Sequence, residues 1–281
     1  MTKIAILSDI HGNQTAFEAV LEDSKKENVE EYWILGDLFL PGPAHQDMID
    51  LMKKMPITIM VKGNWEDCVL EILDGTTLDD ASEVYIARLS EYLCEHLTPE
   101  SIQMIRDLPL VDHRIIHGLT IGISHNQRDK NWGGALLPSS NQQNFDALFT
   151  KDQDIAIYGH VHHQMLRYSS DDRLIINPGT VGQPFSFWKK LRKDRRAQYT
   201  ILEIDHAQHV DVHFKKVAYD IDIEQAYAKK NELPYLELYE EQLNTGITHT
   251  HDLDFLEKIN QENGYVDAVK DYFNKKTRVP K

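Results

Sequence analysis

The chain has 281 residues, a length that favours one large domain or a domain with a smaller addition. Hydrophobic residues make up 41% and charged residues 27%, which excludes a collagen-like, disordered or disulfide-stapled chain. The 45 acidic residues outnumber the 30 basic ones and give a net charge of -15, and this field repels phosphate backbones, so duplex nucleic acid is not an expected partner.

The amino terminus and the cysteines predict a cytoplasmic protein without a membrane segment. The apolar run at residues 4–7 is too short for a signal peptide, and no apolar run approaches the ~20 residues of a membrane span. Cys68 and Cys94 lie in one predicted helical region without CxxC spacing, which suits a reducing compartment.

The first part of the chain repeats a strand, a polar loop and a helical segment. A short apolar run at residues 3–7 precedes Asp9, a second run at 32–35 precedes Asp37, and a third at 57–61 precedes Asn64. Three such units predict a largely parallel sheet covered by helices, with a site along its carboxyl edge.

Residues 66–107 have a helical pattern, and we interpret them as a helical cap insertion near the site. Strand signals return over the second half of the chain, from which we expect a second sheet. They cover residues 112–116, 120–124, 155–159, 174–177, 199–204 and 210–216. After Tyr219 the chain is helical and acidic. We therefore predict a domain over residues 1–218 and a helical appendage over 219–281 that packs on the core. The alternative is that the apolar residues of the appendage form the contact of a homodimer.

The ends of the predicted strands carry seven residues of types that bind metals: Asp9, His11, Asp37, Asn64, His125, His160 and His162. One such residue commonly caps a helix or completes a hydrogen bond, but seven at strand ends favour a metal site. Carboxylate, amide and imidazole ligands without thiolates suit Mn or Fe, with Zn, Co and Ni as alternatives. Seven ligands exceed the need of one ion, so two ions that share a carboxylate are the economical interpretation.

The order of these residues resembles the motif set of the calcineurin-like metallophosphoesterases. The matching motifs are Asp9-Ile10-His11, Gly36-Asp37, Gly63-Asn64, Ser124-His125 and Gly159-His160-Val161-His162. Residues 177–184 also resemble a segment of the small bacterial and archaeal phosphodiesterase branch. The resemblance covers residues 3 to about 217, and five spaced motifs are far more specific than any one alone.

The resemblance implies the fold, the ligand sets and the reaction. The fold would be α/β, a four-layer αββα sandwich of two mixed sheets. One ion would be held by Asp9, His11, Asp37 and His162, and the other by Asp37, Asn64, His125 and His160. Asp37 would bridge the ions and act in catalysis with Asn64 and His125, through attack of a metal-bridging hydroxide on phosphorus.

One departure from the family pattern concerns the leaving group. Many relatives follow Gly-Asn with a histidine that is often assigned to leaving-group protonation, whereas Trp65 stands there in this chain. An indole cannot serve as that acid, so a stable leaving group such as a nucleotide phosphate is favoured. Gly-Asn-Trp variants look similar to bacterial diadenosine tetraphosphate hydrolases, and Trp65 could stack on a base or simply pack the cap helices.

Further substrate contacts are predicted for Asn13, at a helix amino terminus, and for Lys189 and Arg192, in a basic run that either grips a polyphosphate or is a solvated loop. The leading hypothesis is a dinuclear phosphodiesterase whose partner is a nucleotide or dinucleotide phosphate, with diadenosine tetraphosphate cut to ATP and AMP as the best guess. The alternatives are a cyclic-nucleotide or general phosphodiesterase, a phosphomonoesterase or protein phosphatase, and a non-catalytic metal-binding scaffold.

Overall fold

The computed structural model describes residues 1–277. Its strands are β1 (Thr2–Leu7), β2 (Glu31–Ile34), β3 (Ile57–Met60), β4 (Val111–Ile116), β5 (Leu119–Ser124), β6 (Ile155–Tyr158), β7 (Gln164–Tyr168), β8 (Leu174–Pro178), β9 (Ala197–Ile204) and β10 (Val210–Val217). Its α-helices are α1 (Gln14–Lys26), α2 (Gln46–Met52), α3 (Asn64–Asp74), α4 (Ala81–His96), α5 (Pro99–Asp107), α6 (Gln142–Asp146), α7 (Ile221–Lys230), α8 (Leu236–Thr245), α9 (Leu253–Glu262) and α10 (Tyr265–Thr277).

The strands form two mixed five-stranded sheets, in the orders β10-β9-β1-β2-β3 and β4-β5-β6-β8-β7. In the first sheet β1, β2 and β3 are parallel, whereas β9 runs antiparallel to β1. In the second, β5, β6 and β8 are parallel and the outer strands β4 and β7 are antiparallel to their neighbours.

An apolar layer packs between the two sheets, and helices cover their outer faces. Ile6 and Trp33 of the first sheet share one buried cluster with Ile123 and Ile157 of the second. The outer face of the first sheet packs against α1 and its neighbouring helices, and Phe145 of α6 packs on the outer face of the second. The predicted four-layer αββα sandwich of two mixed sheets is therefore confirmed.

Two details of the predicted strand arrangement were wrong. Residues 199–204 and 210–216, which we expected in the second sheet, lie in β9 and β10 and extend the first sheet beside β1. The reason is a long-range antiparallel pairing, with Ala5 opposite Ile201, which the local pattern of either strand does not encode. The edge strand β7 was not predicted at all, because Gln164 and Arg167 interrupt its apolar pattern.

The helices after Tyr219 pack on two other helical regions. Helix α7 lies against α1, and α9 and α10 lie against α4 of the predicted cap insertion. Asn260 of α9 donates a hydrogen bond to the carbonyl oxygen of Ala81 at 2.9 Å, and Val269 of α10 is buried against Val84. The division into a domain over residues 1–218 and an appendage over residues 219–281, of which residues 278–281 lie outside the described part, stays a prediction. Over residues 1–277, none of the helices is long and apolar enough to cross a membrane.

Candidate metal centre and substrate cavity

The seven predicted ligands converge where the strands of both sheets end. They follow five different strands, with Asp9 and His11 after β1, Asp37 after β2, Asn64 after β3, His125 after β5, and His160 and His162 after β6. All of these strands run parallel within their sheets, so their carboxyl ends meet at one edge, where ligands bind in open α/β sheets.

Two adjoining groups of side chains have the composition of metal sites. One group contains Asp9, His11 and His162, and the other contains Asp37, His125 and His160. In each group one ligand atom per residue lies within 4.8 Å of the others. Asn64 joins the second group, because its Oδ1 lies 3.2 Å from Nε2 of His125.

Asp37 faces both groups. Its Oδ2 lies 3.4 Å from Nε2 of His125 in its own group and 3.8 Å from Nε2 of His11 in the other. A carboxylate in this position reaches both candidate sites, which is the geometry that a bridging ligand needs.

The backbone is left-handed at most of these ligands. The φ angles are 55° at Asp9, 51° at His11, 51° at Asp37, 64° at His160 and 56° at His162. This conformation is uncommon outside glycine and concentrates at functional sites, where the surrounding structure holds it in place. It turns the chain sharply after each strand and directs the side chains into the centre.

Three of the imidazoles are oriented by backbone carbonyl groups. The Nδ1 atom of His11 donates to the oxygen of Leu40 at 2.7 Å, that of His125 to Leu35 at 2.5 Å, and that of His162 to Gln183 at 2.8 Å. These contacts fix the tautomer. Because Nδ1 donates its proton to a carbonyl oxygen in each contact, the Nε2 atom of each neutral ring points into the centre without a proton. Histidines that bind metal ions are usually held in this way.

The contacts among the ligand atoms themselves show whether metal ions fit between them. Nε2 of His11 lies 3.1 Å from Nε2 of His162, so two lone pairs face each other unless a cation or a proton lies between them. Asp9 and Asp37 are buried carboxylates within this space, and burying two like charges is costly without compensating positive charge. Oxygen and imidazole donors without thiolates complete a set that suits two divalent ions.

The carboxylates and imidazoles shift one another's pKa values. Burial alone would raise the pKa of Asp9, but the charge of His162 and its hydrogen bond hold this pKa below its usual range. Burial lowers the pKa of His160 to about 4, with a contribution from the charge of His125. His160 therefore presents a neutral imidazole, the form that binds a metal ion.

Glu66 ties the loops that carry Asp37 and Asn64 together. Its carboxylate accepts hydrogen bonds from the backbone amides of Asp37 at 2.9 Å, Leu38 at 2.8 Å and Gly63 at 2.8 Å. Burial, followed by the charge of Asp37, raises the pKa of Glu66 to about 7. Glu66 was not predicted as a site residue from the sequence, although it lies only two residues after Asn64.

Residues 180–183 form a second support. The hydroxyl group of Thr180 donates to the carbonyl oxygen of Asp9 at 2.8 Å, and the amide of Gly182 donates to the same oxygen at 3.0 Å. Asn13 is buried here: its Oδ1 accepts from Ala16 as a helix cap, and its Nδ2 donates to Gly182 and Tyr219. A phosphate contact of Asn13 remains a prediction.

A cavity of about 530 Å³ opens beside the two groups. It is lined by Asn64, Trp132, Gly133, Gly134, Leu137, His160, Val161, His162, Gln183, Phe185, Thr248 and His251. This volume is typical of small-molecule sites. The loop that carries Trp132 is anchored to the centre, because Nδ2 of Asn131 donates to the carbonyl oxygen of Gly63 at 2.9 Å.

The other predicted substrate contacts lie outside this lining. Trp65 is half-buried with its ring edge-on to His11, at 6.1 Å between centroids, and its amide donates to Oδ1 of Asp37. Lys189 is exposed and Arg192 half-buried, and neither is among the described residues that line the cavity. Their contacts with substrate remain predictions. Thr248 and His251 were missed, although the sequence Thr248-His249-Thr250-His251 concentrates polar side chains in one loop.

Comparison with known proteins adds a family and a set of related structures. Residues 2–207 match the model of the calcineurin-like phosphoesterase superfamily domain. An uncharacterized protein of Methanocaldococcus jannaschii is 28% identical over 243 residues, which cover 82% of this chain and 93% of that protein. A metallophosphoesterase from Sphaerobacter thermophilus is 28% identical with a TM-score of 0.65, and the match covers 88% of this chain and 100% of that one. A hypothetical protein of Pyrococcus horikoshii, at 20% identity and a TM-score of 0.72 over 88% of this chain and 100% of that one, shares the fold.

Proposed function

This chain belongs to the calcineurin-like phosphoesterase superfamily, a family of dinuclear metal-dependent phosphoester hydrolases, and we propose that it is a phosphodiesterase. Its proposed substrates are nucleotide phosphodiesters and phosphoanhydrides. The single substrate that we propose is diadenosine tetraphosphate, which would be cut asymmetrically to ATP and AMP. The observation that carries the proposal is the position of Asp37, which faces two adjoining ligand groups beside an open cavity.

The residues of the two groups have distinct proposed roles. Asp9, His11 and His162 would hold one ion, and Asn64, His125 and His160 would hold the other. Asp37, which faces both groups, would be shared by the two ions. Bound there, two dications supply a water of lowered pKa and neutralise charge on the phosphoryl oxygens. Mn and Fe are the proposed ions, because the donors are oxygen and imidazole nitrogen.

The chain's own residues hold the reacting groups in place. The carbonyl groups of Leu40, Leu35 and Gln183 fix three imidazoles, so the ligand atoms need not reorganise during the reaction. Glu66 holds the backbone on both sides of the centre through its three amide contacts. Such positioning, with charge stabilisation, is most of what an enzyme contributes to phosphoryl transfer.

Aromatic side chains at the cavity support a nucleotide as the substrate. Trp132 is 59% exposed and lies on the cavity wall, with the ammonium group of Lys130 3.4 Å from its ring centroid. Phe185 lies on the wall as well. An aromatic face next to a cationic group favours a base attached to a phosphate.

A cytoplasmic location is proposed because Cys68 and Cys94 are free thiols.

The proposal is tested by incubating Mn-loaded wild-type and Asp37→Asn protein with diadenosine tetraphosphate and separating the products by ion exchange. ATP plus AMP from the wild type alone is the expected result. Two ADP would contradict the asymmetric cleavage. No products from this substrate or from cyclic and aryl diesters, with metal content below stoichiometry, would favour the scaffold.

A further inference from the structure

The loop between α8 and α9 brings part of the helical appendage into the cavity. Thr248 and His251 of this loop line the same cavity as Asn64, His160 and His162. They are more than 80 residues away in sequence from the last of these, His162. The appendage therefore contributes to the wall of the proposed active site.

The loop is held at both ends. Nε2 of His249 lies 3.0 Å from a carboxylate oxygen of Glu241 in α8, and its Nδ1 lies 3.5 Å from a carboxylate oxygen of Asp252, which caps α9. At the start of the loop, Gly246 has a φ of 71° and leaves no space for a side chain, because the guanidinium of Arg195 occupies that position.

Arg195 connects this loop with the metal centre. Its guanidinium packs against Gly246 and donates a hydrogen bond to the carbonyl oxygen of Pro184. Pro184 directly follows Gln183, whose carbonyl oxygen orients the ring of His162. A short chain of contacts thus fixes the loop relative to the proposed ligands.

The imidazole of His251 carries an N–H group that is available to donate a proton to the substrate. It is exposed, and among residues 1–274, whose side chains the structure describes, its imidazole has no hydrogen-bond partner. Asp80, which caps α4, is within electrostatic range: its pKa is lowered chiefly by the hydrogen bond from Ser82, with a smaller contribution from the charge of His251.

The other described residues of the cavity wall leave this role open. His160 and His162 belong to the two ligand groups. Trp65, which lies outside the lining, has an indole that cannot transfer the proton. Among the described lining residues, His251 is the titratable side chain outside those groups.

We propose that His251 is the acid that protonates the leaving group. The inference rests on the proposed phosphodiesterase function and names the residue that completes it. The oxygen of a water molecule forms a bond to phosphorus and loses a proton to solvent. The bond between phosphorus and the leaving oxygen breaks, and that oxygen takes the proton from the imidazolium N–H of His251. The exposed ring then regains a proton from solvent. The appendage would thereby replace the histidine that Trp65 displaces.

The dependence of rate on the leaving group tests this role. We would compare the 4-nitrophenyl and phenyl esters of thymidine 5′-monophosphate, since phenol is the more basic leaving group and needs the proton more. His251→Gln is expected to lower kcat/KM about 10²-fold on the phenyl ester and by no more than about threefold on the 4-nitrophenyl ester. Equal losses on both esters, or no loss on either, would overturn the proposal.

A binding measurement tests the position of His251 without turnover. In Zn-loaded protein with ¹⁵N-labelled histidine, saturation with AMP is expected to shift the ring signals of His251, assigned with His251→Gln. The signals of His209, an exposed histidine paired with Asp205, should stay in place. If AMP saturates the protein and the His251 signals do not move, the inference is wrong.

The two experiments separate the inference from the function on which it rests. His209→Gln is the matched control and should retain wild-type rates on both esters. Wild-type protein that hydrolyses neither ester would refute the phosphodiesterase and with it the acid role. Active wild-type protein with an unchanged leaving-group dependence in His251→Gln would refute the acid role alone.

Discussion

Gly63 lies directly against Asp37. A Cβ atom built on Gly63 would overlap Oδ1 and the amide nitrogen of Asp37 and lie 2.9 Å from its Cγ. A side chain at position 63 would therefore push the proposed bridging carboxylate out of the centre. The glycine of the Gly63-Asn64 motif thus has a packing role that is separate from metal binding.

Gly63→Ala is expected to reduce metal binding although no ligand changes. The overlap should destabilise the fold by about 1–3 kcal/mol, in the range of overpacked interiors, and lower the metal content per chain. Metal analysis and thermal unfolding measure both effects. Gly134→Ala is the control, because the nearest atom to its new Cβ would be a methyl group of Leu137 at 3.3 Å. Equal metal content in the two variants would contradict this reasoning.

Glu224 attaches the appendage to the amino terminus of α1. One carboxylate oxygen accepts from the amide of Thr15 at 2.9 Å, and the other accepts from the hydroxyl group of Tyr239 at 2.9 Å. Burial raises the pKa of Glu224. A carboxyl whose pKa is raised on folding contributes most stability below its unfolded pKa, and that contribution is lost as the pH rises through the folded pKa.

The Glu224→Gln variant should therefore show a stability deficit that shrinks with increasing pH. The amide removes the titration but cannot accept from both donors, so the variant is expected to be less stable than the wild type by about 1–3 kcal/mol at pH 5 and by less at pH 8. Denaturant unfolding at both pH values measures the difference. A deficit that grows with pH would show that the folded pKa is not raised.

Trp65→Ala separates base stacking from packing. Loss of one stacked base costs about 1–3 kcal/mol, so inhibition by AMP should weaken about tenfold, whereas inhibition by ribose 5-phosphate, which has no base, should stay within about twofold. Competitive inhibition constants with an aryl diester as substrate give both values. Trp65→Phe is the control and should retain most of the affinity for AMP. Equal weakening for both inhibitors would support packing alone.

The basic run is tested with Lys189→Gln and Arg192→Gln combined. If the run grips a polyphosphate, KM for diadenosine tetraphosphate should rise about fivefold and depend less on salt, while KM for a single-phosphate diester should not change. The matched control is Lys25→Gln with Lys26→Gln, an exposed pair at the end of α1. Unchanged KM values in both double variants would identify residues 189–196 as a solvated loop.

The sequence predicts the fold where strong local patterns dominate and fails where pairing is long-range. Each of the first three strand, loop and helix units is visible because a short apolar run ends at a polar loop, and the seven residues that follow such runs converge in the structure. The placement of β9 beside β1 depends on contacts across almost the whole chain. The arrival of His251 at the cavity has the same cause, since it depends on how α8, α9 and Arg195 pack.

The most direct test of the central claim measures metal content and hydrolysis of bis(4-nitrophenyl) phosphate together, in wild-type and Asp37→Asn protein loaded with Mn. Circular dichroism would establish that the variant is folded. We predict two ions per chain in the wild type, fewer in the variant, and a rate at least about 10²-fold lower, because the bridging carboxylate is lost. A folded Asp37→Asn protein that hydrolyses the diester as fast as the wild type would contradict the account.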